Sequence, residues 1–417
     1  MPVVSVVIPV YNVEKWLPAC LDSVLTQTLE DIEVICVNDC SPDGCADILA
    51  GYAARDPRVR VIALDRNSGQ GVARNVGFEA SSGRYVYFLD SDDMVVPHAL
   101  EELARRADDD QLDGVFFDST VLYDSPDLAK RYSSESLYYQ GNYSTSVQSG
   151  TFFFEQSMNQ REYSCLLARQ FWRREFLDAN DLMLPEWISH EDEAFTFEAM
   201  ALAKRTALVR KPFYIRRLRE GSVTTGGYEI ESMVGSFCSY CRIIRFMHEH
   251  GIASIAADRN AARLYCLFLS LYERFSHDGI DIDALFAKKE CHREFLFFRK
   301  EQIAYGYYGY VSPRALSKAR AAEKVYLFGA GRIAADITDY FAERGIAIEG
   351  YLVTRADENP AVLRGHYVCA LQDFPCDPHA LVVIAVADRY RAGIEESLES
   401  AGWNYVYCRS GGEDVRG

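Results

Sequence analysis

The first 120 residues alternate short apolar runs with helical stretches, and this alternation restricts the fold more than any other feature. The runs are nearly continuous in apolar residues and occupy positions 3–9, 32–38, 59–65, 85–90 and 115–118. Strands of this kind are buried on both faces, as in a parallel sheet covered by helices. The intervening stretches, 13–26, 45–55, 71–80 and 97–107, carry apolar residues three and four positions apart. This pattern predicts an α/β fold of the nucleotide-binding class with a mostly parallel central sheet.

Length and charge narrow the class of protein further. A chain of 417 residues is long enough for two or three domains. Its 44 basic and 61 acidic residues give a net charge of −17, which argues against a nucleic-acid partner because phosphate binding needs clustered cations. The longest apolar runs are too short for a transmembrane helix. The N-terminus has no cationic start or cleavage site and is predicted to be a buried strand.

The cysteines predict a reducing compartment. Twelve cysteines are too few for a disulfide scaffold of this length, and most lie in apolar strands or helices, where a thiol acts as a small hydrophobe. Cys238 and Cys241 form a C-x-x-C pair, but no second pair follows at zinc spacing. Core cysteines are therefore favoured over a zinc or redox site, and we expect a cytoplasmic protein.

The remainder of the chain suggests three domains. Residues 119–165 are rich in Tyr, Ser and Gln without a clear period, which predicts an irregular insertion that carries binding loops. Helical patterns return over 171–210 and dominate 228–320, and a second α/β unit runs from 324 to 408. We therefore expect a sheet domain at 1–226, a helical region and linker at 227–321, and a small Rossmann-like domain at 322–417.

Polar clusters follow the predicted strands at 9–12, 38–39, 67–75 and 90–93. Open α/β sheets bind ligands at the carboxyl ends of their strands. Asp90 and Asp92 are two positions apart and can approach one divalent cation with its bound diphosphate, because Mg²⁺ and Mn²⁺ prefer oxygen ligands. Alternatively, Asp92 or Asp93 caps a helix that has Pro97 in its first turn.

Four further features have a functional and a structural interpretation. Asp39 can accept a hydrogen bond from a base or close its turn, and Tyr11 can stack on a base or be a half-buried aromatic. The acidic residues 191–193, which follow His190, can supply a general base or favour the start of a helix. The basic cluster comprises Arg216, Arg217 and Arg219. It can bind a diphosphate or simply form a solvated edge of the protein.

Six segments occur in one order along residues 3–225. They read V-S-V-V-I-P-V-Y-N, V-N-D-C-S-P-D-G, G-V-A-R-N-V-G, F-L-D-S-D-D, H-E-D-E-A-F and R-L-R-E-G-S-V-T. Together they closely resemble family 2 glycosyltransferases, and their ordered occurrence is specific although each match is short. The resemblance implies a GT-A-type fold, a nucleotide-sugar donor, Mn²⁺ or Mg²⁺ as cofactor, and inversion at the anomeric carbon.

The resemblance also implies roles for individual residues. The residues that match the nucleoside-binding segment at the start of the family's domain are Pro9, Tyr11, Asn12 and Asp39. Asp39 is expected to bind the uracil ring. Arg74 matches an arginine near the base and diphosphate. Cys40 and Cys45, which flank the S-P-D-G turn, depart from the commoner Gly and Asn or Thr, and we expect no functional effect.

The same resemblance assigns the chemistry. Asp90 and Asp92 match a D-x-D motif, with Asp92 as the direct metal ligand. Asp192 matches the catalytic base, and Glu191 shapes the acceptor side. The segment that closes over the diphosphate contributes Arg217, Arg219 and Ser222. The implied reaction transfers a sugar, with UDP-sugar as the expected donor, to a hydroxyl acceptor in polysaccharide or glycoconjugate synthesis.

The C-terminal unit carries a G-x-G-x-x-A match at 329–334, which can place a pyrophosphate at a helix N-terminus. Dinucleotide binding also needs an acid about 20 positions later, where Thr354 and Arg355 stand instead. Arg355 could meet a 2′-phosphate, but we favour a structural, docking or regulatory role. An NAD(P)-linked oxidoreductase and a catalytically silent nucleotide-sugar scaffold remain the alternatives.

Three properties stay open from the sequence. The donor sugar and the acceptor are not identified. The aromatic stretch 295–310 favours a buried core or a homo-oligomer contact over a membrane surface. We expect the protein in the cytoplasm, or at the inner face of the membrane through peripheral contact.

Overall fold

The computed structural model describes residues 1–132, 143–186, 189–275, 280–296, 298, 311, 313–386 and 390–408. It consists of two compact units, Met1–Cys291 and His292–Gly417. No helix within the described residues is both long and apolar enough to cross a lipid bilayer.

An eight-stranded sheet forms the centre of the first unit. Its strands are β1 Val4–Val10, β2 Ile32–Asn38, β3 Val59–Ala63, β4 Tyr85–Phe88, β5 Met94–Val95, β6 Gly114–Tyr123, β7 Gln170–Arg173 and β8 Thr206–Leu218. They lie in the order β3-β2-β1-β4-β7-β6-β8-β5. The pairs β3–β2, β2–β1, β1–β4 and β6–β8 are parallel, whereas β7 and β5 pair antiparallel. The predicted α/β class with a mostly parallel central sheet is confirmed.

Helices separate most of these strands. They are α1 Leu17–Leu25, α2 Cys45–Arg55, α3 Gln70–Ala80, α4 Ala99–Asp109, α5 Pro126–Arg131, α6 Gly150–Asn159, α7 Arg174–Ala179, α8 Glu191–Leu202, α9 Val223–Gly226, α10 Ile230–Glu249, α11 Ile255–Phe275 and α12 Ile282–Phe286.

Strand β1 is buried along its whole length, which explains its continuous apolar sequence. Its one hydroxylic side chain, Ser5, donates a hydrogen bond to Glu33 Oε1 at 2.6 Å. Helix α3 packs close to this strand because Gly77 has no side chain: a Cβ there would lie 2.4 Å from Val7 Cγ1. Pro9 fits within the sheet because β4 pairs with β1 only as far as Val7.

The structure corrects two predictions of local structure. Residues 119–165 are more regular than expected, because β6 continues to Tyr123 and helices α5 and α6 follow. Ser125 and Ser149 cap these helices by accepting bonds from the backbone N–H groups of Leu128 and Phe152. Part of the predicted insertion, 133–142, lies outside the described residues. The region 171–210 was expected to be helical, and it does hold α7 and α8. It also holds most of β7, whose Phe171 and Trp172 side chains are buried, and the start of β8.

Helices α10 and α11 belong to the first unit. Arg242 on α10 pairs with Glu198 on α8 at 2.6 Å, and Arg263 on α11 pairs with Glu193 on α8 at the same distance. The three-part division at 226 and 321 stays a proposal.

The second unit holds a six-stranded sheet in the order β11-β12-β10-β9-β13-β14. The pairs are parallel except β11–β12, as expected for a Rossmann-like domain. Its strands are β9 Lys324–Phe328, β10 Gly350–Val353, β11 Val362–Leu363, β12 His366–Ala370, β13 Ala380–Ile384 and β14 Asn404–Tyr407. Its helices with defined bounds are α13 Pro313–Ala321, α14 Arg332–Glu343 and α15 Arg391–Ser400.

The glycine motif of this unit has a packing explanation. Gly329 adopts φ 115°, and a Cβ there would lie 2.8 Å from Val386 Cγ1. Arg355, which could have met a 2′-phosphate, is ion-paired with Asp357 at 3.1 Å and Glu358 at 2.8 Å. Residues 299–310 of the aromatic stretch lie outside the described residues.

Candidate active site

Three neighbouring strands bring their carboxyl ends to one edge of the first sheet. Val10 is in register with Asn38 across β1 and β2, and Val7 is in register with Phe88 across β1 and β4. The polar segments that follow these strands therefore lie side by side. Tyr11 directly follows β1 and is 44% exposed, so its ring remains accessible to a ligand.

Asp39 closes the loop that leads to α3. Its two carboxylate oxygens accept hydrogen bonds from the backbone N–H groups of Ser68 at 2.7 Å and Gly69 at 2.8 Å. Asp39 is 3% exposed. The side chain therefore closes the loop before α3 rather than its own turn, where Asn38 Oδ1 accepts from the Ser41 backbone N–H at 2.9 Å. Each carboxylate oxygen of Asp39 keeps a second lone pair.

Positive φ angles occur beside several candidate residues. Asn12 has φ 54°, Cys40 next to Asp39 has φ 56°, and His190 next to Glu191 has φ 61°. Non-glycine residues rarely adopt this conformation, and such strain clusters at functional sites.

Arg74 connects two distant segments of the candidate site. Its Nη2 donates to Asp90 Oδ1 at 2.7 Å, and its Nη1 donates to Glu191 Oε1 at 2.6 Å. Its side chain is only 5% exposed. Burial acts to lower the pKa of Arg74, but Asp90 and Glu191 outweigh this effect and raise it. Arg74 therefore stays charged and holds the end of β4 close to the start of α8.

The acidic segment after β4 contacts the last residues of β8 and those just beyond it. Asp92 Oδ2 accepts from Arg219 Nε at 2.7 Å, and the backbone carbonyl of Asp92 accepts from Arg217 Nε at 3.1 Å. Asp93 accepts from the Arg217 backbone N–H at 2.5 Å and from the Tyr214 hydroxyl. The carboxylates of Asp92 and Asp93 are thus held by β8 and its continuation.

The helix-capping interpretation of Asp92 and Asp93 is wrong. Helix α4 begins at Ala99, its N-cap residue is His98, and no side chain caps it. Pro97 precedes the helix and is not in its first turn. The proline led to a predicted helix start two residues too early, since Pro97 and His98 still form a turn before α4.

Asp90 and Asp92 suit a divalent cation by their chemistry. Burial raises the pKa of Asp92, and repulsion by Asp90 raises it further. A cation would offset both effects. No three His, Cys, Asp or Glu side chains converge into a metal cage anywhere in the described part of the chain. Two carboxylates would therefore leave most of the coordination shell to water and phosphate oxygens, which is usual for Mg²⁺.

Arg217 and Arg219 are not a solvated edge. Their side chains are 13% and 14% exposed. Arg217 also pairs with Asp124 at 2.7 Å, and the Arg219 guanidinium lies 4.2 Å from the centre of the Trp16 ring. Ser222, predicted for the same segment, caps the short helix α9 in a reciprocal capping box with Thr225.

Helix α8 carries four acidic residues with different environments. Glu191 pairs with Arg74, and Glu193 and Glu198 pair with Arg263 and Arg242. Among the residues that the structure describes, Asp192 has no arginine partner. Burial raises the pKa of Asp192 well above its ordinary range, and repulsion by Glu191 and Glu193 adds to this effect. The surroundings of Asp192 thus favour its protonated form.

A cavity of about 530 Å³ lies beside Asp192. Arg216 lines it, whereas Arg217 and Arg219 contact the acidic segment after β4. Successive residues of a strand face opposite sides, so β8 divides the predicted basic cluster between two places. The other lining residues that sequence reasoning missed include Tyr163, Cys165 and Arg263. They come from segments read as irregular or helical, and nothing in their spacing indicates a site.

Comparisons with known proteins identify the family of the chain. A family model described as "Glycosyl transferase family 2" matches residues 5–166. The uncharacterized glycosyltransferase EpsJ of Bacillus subtilis (strain 168) is 33% identical over 254 residues, which cover 61% of this chain and 72% of EpsJ. The succinoglycan biosynthesis protein ExoO of Rhizobium meliloti (strain 1021) is 31% identical over 310 residues, covering 72% of this chain and 75% of ExoO.

Among solved structures, S. aureus TarS 1–349 in complex with UDP-GlcNAc is similar in fold. The alignment covers 76% of this chain and 83% of the TarS chain. The TM-score is 0.48 and the identity is 20%. Sequence identity above 30% over most of EpsJ and ExoO, together with the family model, places the chain in a family of enzymes. The chain belongs to the family 2 glycosyltransferases and has their GT-A-type fold.

Proposed function

We propose that this glycosyltransferase is metal-dependent and inverting, and that it moves a sugar from a UDP-sugar to a hydroxyl group of an acceptor. The observation that carries the proposal is the pair of ion pairs made by Arg74. They hold Asp90, beside the candidate metal ligand Asp92, close to Glu191, beside the candidate base Asp192. Donor activation and proton removal would then occur within one site.

The donor would bind along the ends of β1 and β2. The exposed ring of Tyr11 offers a flat face for the uracil, and Asp39 retains lone pairs for its ring N–H. Arg217 and Arg219 lie at the acidic segment, where their guanidinium groups can bind diphosphate oxygens. Pro9, Asn12 and Ser222 belong to the same proposed donor site through the backbone segments that they shape.

Asp90 and Asp92 would hold Mn²⁺ or Mg²⁺. When bound, such a cation supplies charge neutralisation for the departing nucleoside diphosphate. Arg219 is paired with the carboxylate of Asp92, so its positive charge would lie next to the cation and the diphosphate.

Asp192 would remove the proton from the acceptor hydroxyl as the oxygen attacks the anomeric carbon. A base with a raised pKa suits this role, because its proton affinity is then closer to neutral pH. One carboxylate base without an enzyme nucleophile implies a single displacement, and this inverts the configuration of the transferred sugar. Glu191 is paired with Arg74 and would position the turn rather than take the proton.

The biological context follows from the relatives. ExoO is named for succinoglycan biosynthesis, which supports a role in polysaccharide or glycoconjugate synthesis. The free cysteines support a cytoplasmic location. Contact with the inner face of the membrane and homo-oligomerisation stay predictions.

The test is release of nucleoside diphosphate from a panel of UDP-, GDP- and dTDP-sugars with Mn²⁺ or Mg²⁺. We expect release from a UDP-sugar that stops on addition of a chelator and resumes with excess metal. Asp92→Ala should abolish release, whereas Asp109→Ala, an exposed acid on α4, should not. Full turnover without any divalent ion would refute the metal requirement. Tight donor binding with no release under any condition would favour a silent scaffold.

A further inference from the structure

We infer that helix α10 positions the proposed base Asp192, and that Gly235 and Ser239 are the residues through which it does so. The inference rests on the proposed function, because it takes Asp192 to be the base. Helix α10 begins at Ile230, after the sheet domain predicted at 1–226. An element of the predicted helical region would therefore take part in the site.

The turn in front of α8 has an unusual backbone conformation. Glu191 is the first residue of α8, and Asp192 is the second. The residue before them, His190, has φ 61° and ψ 22°, in the left-handed region, and its side chain does not cap the helix. A non-glycine residue keeps this conformation only where surrounding contacts impose it. The direction in which Asp192 points therefore depends on what holds residues 189 and 190.

Ser239 on α10 holds the carbonyl group of this turn. Its hydroxyl donates a hydrogen bond to the backbone carbonyl oxygen of His190 at 2.6 Å, and Ser239 is fully buried. A serine within a helix often bonds instead to a carbonyl of its own preceding turn. Ser236, which is also fully buried on α10, does so by donating to the Met233 carbonyl oxygen at 3.0 Å. The two serines thus differ in what their hydroxyl groups hold.

Gly235 allows α10 to approach the same turn. A Cβ at this position would lie 1.9 Å from the carbonyl oxygen of Ser189 and 2.7 Å from its carbonyl carbon. Because these are backbone atoms, a larger residue would displace either the helix or the turn. Gly235 and Ser239 are four positions apart and lie on one face of α10. This face therefore contacts two consecutive residues, Ser189 and His190, in front of the proposed base.

The contact between α10 and α8 continues along both helices. Arg242, three positions after Ser239, donates from Nε and Nη2 to the two carboxylate oxygens of Glu198 at 2.6 and 2.7 Å. Glu198 is buried, and a bidentate pair of this kind fixes direction as well as distance. Nη2 of Arg242 also donates to the carbonyl oxygen of Met183 at 3.3 Å, in the segment that leads to α8. Helix α10 thus holds α8 at its start and two turns later.

Helix α3 contacts the same segment on both sides of the turn. Asn75 exchanges two hydrogen bonds with the backbone of Leu184, at 2.7 and 2.9 Å, and Arg74 pairs with Glu191. The residues that α10 contacts, 189 and 190, lie between these two points in the sequence. The geometry therefore gives α10 the part of the turn directly before Asp192.

The first measurement needs no ligand and follows hydrogen exchange of the full chain by mass spectrometry. We expect Ser239→Ala to speed exchange of the amides in residues 189–202 by about fivefold, since one buried hydrogen bond is lost. Exchange in β1 to β3 should stay the same. Ser236→Ala is the matched control, because it removes a bond within α10 only, and it should leave residues 189–202 unchanged.

The second measurement is the rate of UDP release from UDP-glucose, UDP-galactose and UDP-N-acetylglucosamine with Mn²⁺. It compares Ser239→Ala, Asp192→Asn and the double variant. If Ser239 acts through Asp192, Ser239→Ala lowers the rate by about tenfold in the wild-type chain and by less than about twofold in the Asp192→Asn background. The dissociation constant of UDP, measured by calorimetry, should not change. A merely structural role would lower the rate equally in both backgrounds.

Gly235→Ala is the stronger variant. The added Cβ should lower the release rate by about 100-fold, because a displacement of about 1 Å at a reacting group can have this effect. Gly51→Ala is its control, since a Cβ there has no neighbour within 4 Å. Melting curves show whether Gly235→Ala folds, and Ser239→Ala decides the matter if it does not.

Two results would overturn the inference. One is unchanged exchange of residues 189–202 in Ser239→Ala. The other is a loss of rate in Ser239→Ala that persists in full in the Asp192→Asn background. If Asp192→Asn alone releases UDP at the wild-type rate, the proposed base is wrong, and the exchange data still decide whether α10 holds the turn.

Discussion

Nη1 of Arg74 lies 2.6 Å from Oε1 of Glu191, although 117 positions separate the two residues in the chain. The other terminal nitrogen of the same guanidinium group reaches Asp90. One buried cation therefore sets the spacing between the segment proposed to hold the metal and the helix proposed to carry the base.

Loss of Arg74 should destabilise the fold as well as the site. Arg74→Ala leaves Glu191 buried without its counter-charge, and we expect the free energy of unfolding to fall by about 3 kcal/mol or more. Arg84→Ala, which removes an exposed pair with Asp108, should cost less than about 1 kcal/mol. Urea unfolding of both variants measures the difference. Equal losses in the two variants would show that the buried pairs do not organise this site.

Asp192→Asn should lower the turnover rate by a factor of about 100 or more, since an amide cannot take the acceptor proton. The dissociation constant for the donor should change little, because Asp192 does not lie on the proposed diphosphate side. Single-turnover kinetics and calorimetry separate the two quantities. Asp109→Asn is the control, and transfer by Asp192→Asn at near wild-type rate would reject the base assignment.

The raised pKa of Asp192 predicts a pH dependence of activity. A base acts only when deprotonated, so the rate should fall as pH drops through its folded-state pKa, at a pH above the ordinary value of 3.8. Glu193 contributes to the rise after burial and Glu191. Glu193→Gln should therefore move the acid limb of the pH–rate profile to lower pH. An acid limb that stays in place would show that another group controls it.

The same group also links stability to pH. Because the folded-state pKa of Asp192 is raised, the folded chain holds this proton more tightly than the unfolded chain. The contribution is fully present below the unfolded-state pKa and is lost as pH rises through the folded-state pKa. Asp192→Asn should remove this component, and unfolding curves over a pH series measure it. An unchanged pH dependence of stability in the variant would contradict the shift.

Tyr11→Ala should weaken UDP binding by about tenfold or more, since stacking of a base on an aromatic ring contributes roughly 1–3 kcal/mol. Tyr367→Ala is the matched control, because Tyr367 is 76% exposed and belongs to the second unit. Calorimetry with UDP measures both. Unchanged affinity in Tyr11→Ala would remove the stacking role.

Two glycine substitutions test the packing of α3 on β1. Gly77→Ala places a Cβ 2.4 Å from Val7 Cγ1 and should destabilise the chain by about 1–3 kcal/mol. Gly51→Ala, on α2 with no atom within 4 Å, should instead stabilise it by about 0.5–1 kcal/mol. Thermal unfolding decides the sign in each case. Stabilisation by Gly77→Ala would mean that α3 can move away from the sheet.

Much of the first sheet can be predicted from the sequence, because strands that are buried on both faces consist of nearly continuous apolar residues. Residues 32–38 and the helix Cys45–Arg55 were predicted with the bounds that the structure shows. The polar segments after β1, β2 and β4 were expected at one edge, and parallel registers place them there. In these cases local composition and tertiary burial favour the same structure.

Other features depend on contacts that one sequence does not encode locally. The first helix was expected from residue 13, but α1 begins at Leu17 because residues 14–16 form a turn. β7 was read as helical, since its four residues are too few to show a strand period. Arg263 meets Glu193 only because α11 packs near α8, and the spacing within α11 gives no sign of it.

The alternation of Arg216 with Arg217 and Arg219 along β8 limits how this chain can vary in length. Inserting or deleting one residue beside Tyr214 would exchange the faces of all three arginines at once. The cavity beside Asp192 would lose Arg216 in the same event that removes Arg219, the partner of Asp92. Length changes are therefore compatible with the loops on either side of this segment, but not with residues 214–219 at the end of β8 and just beyond it.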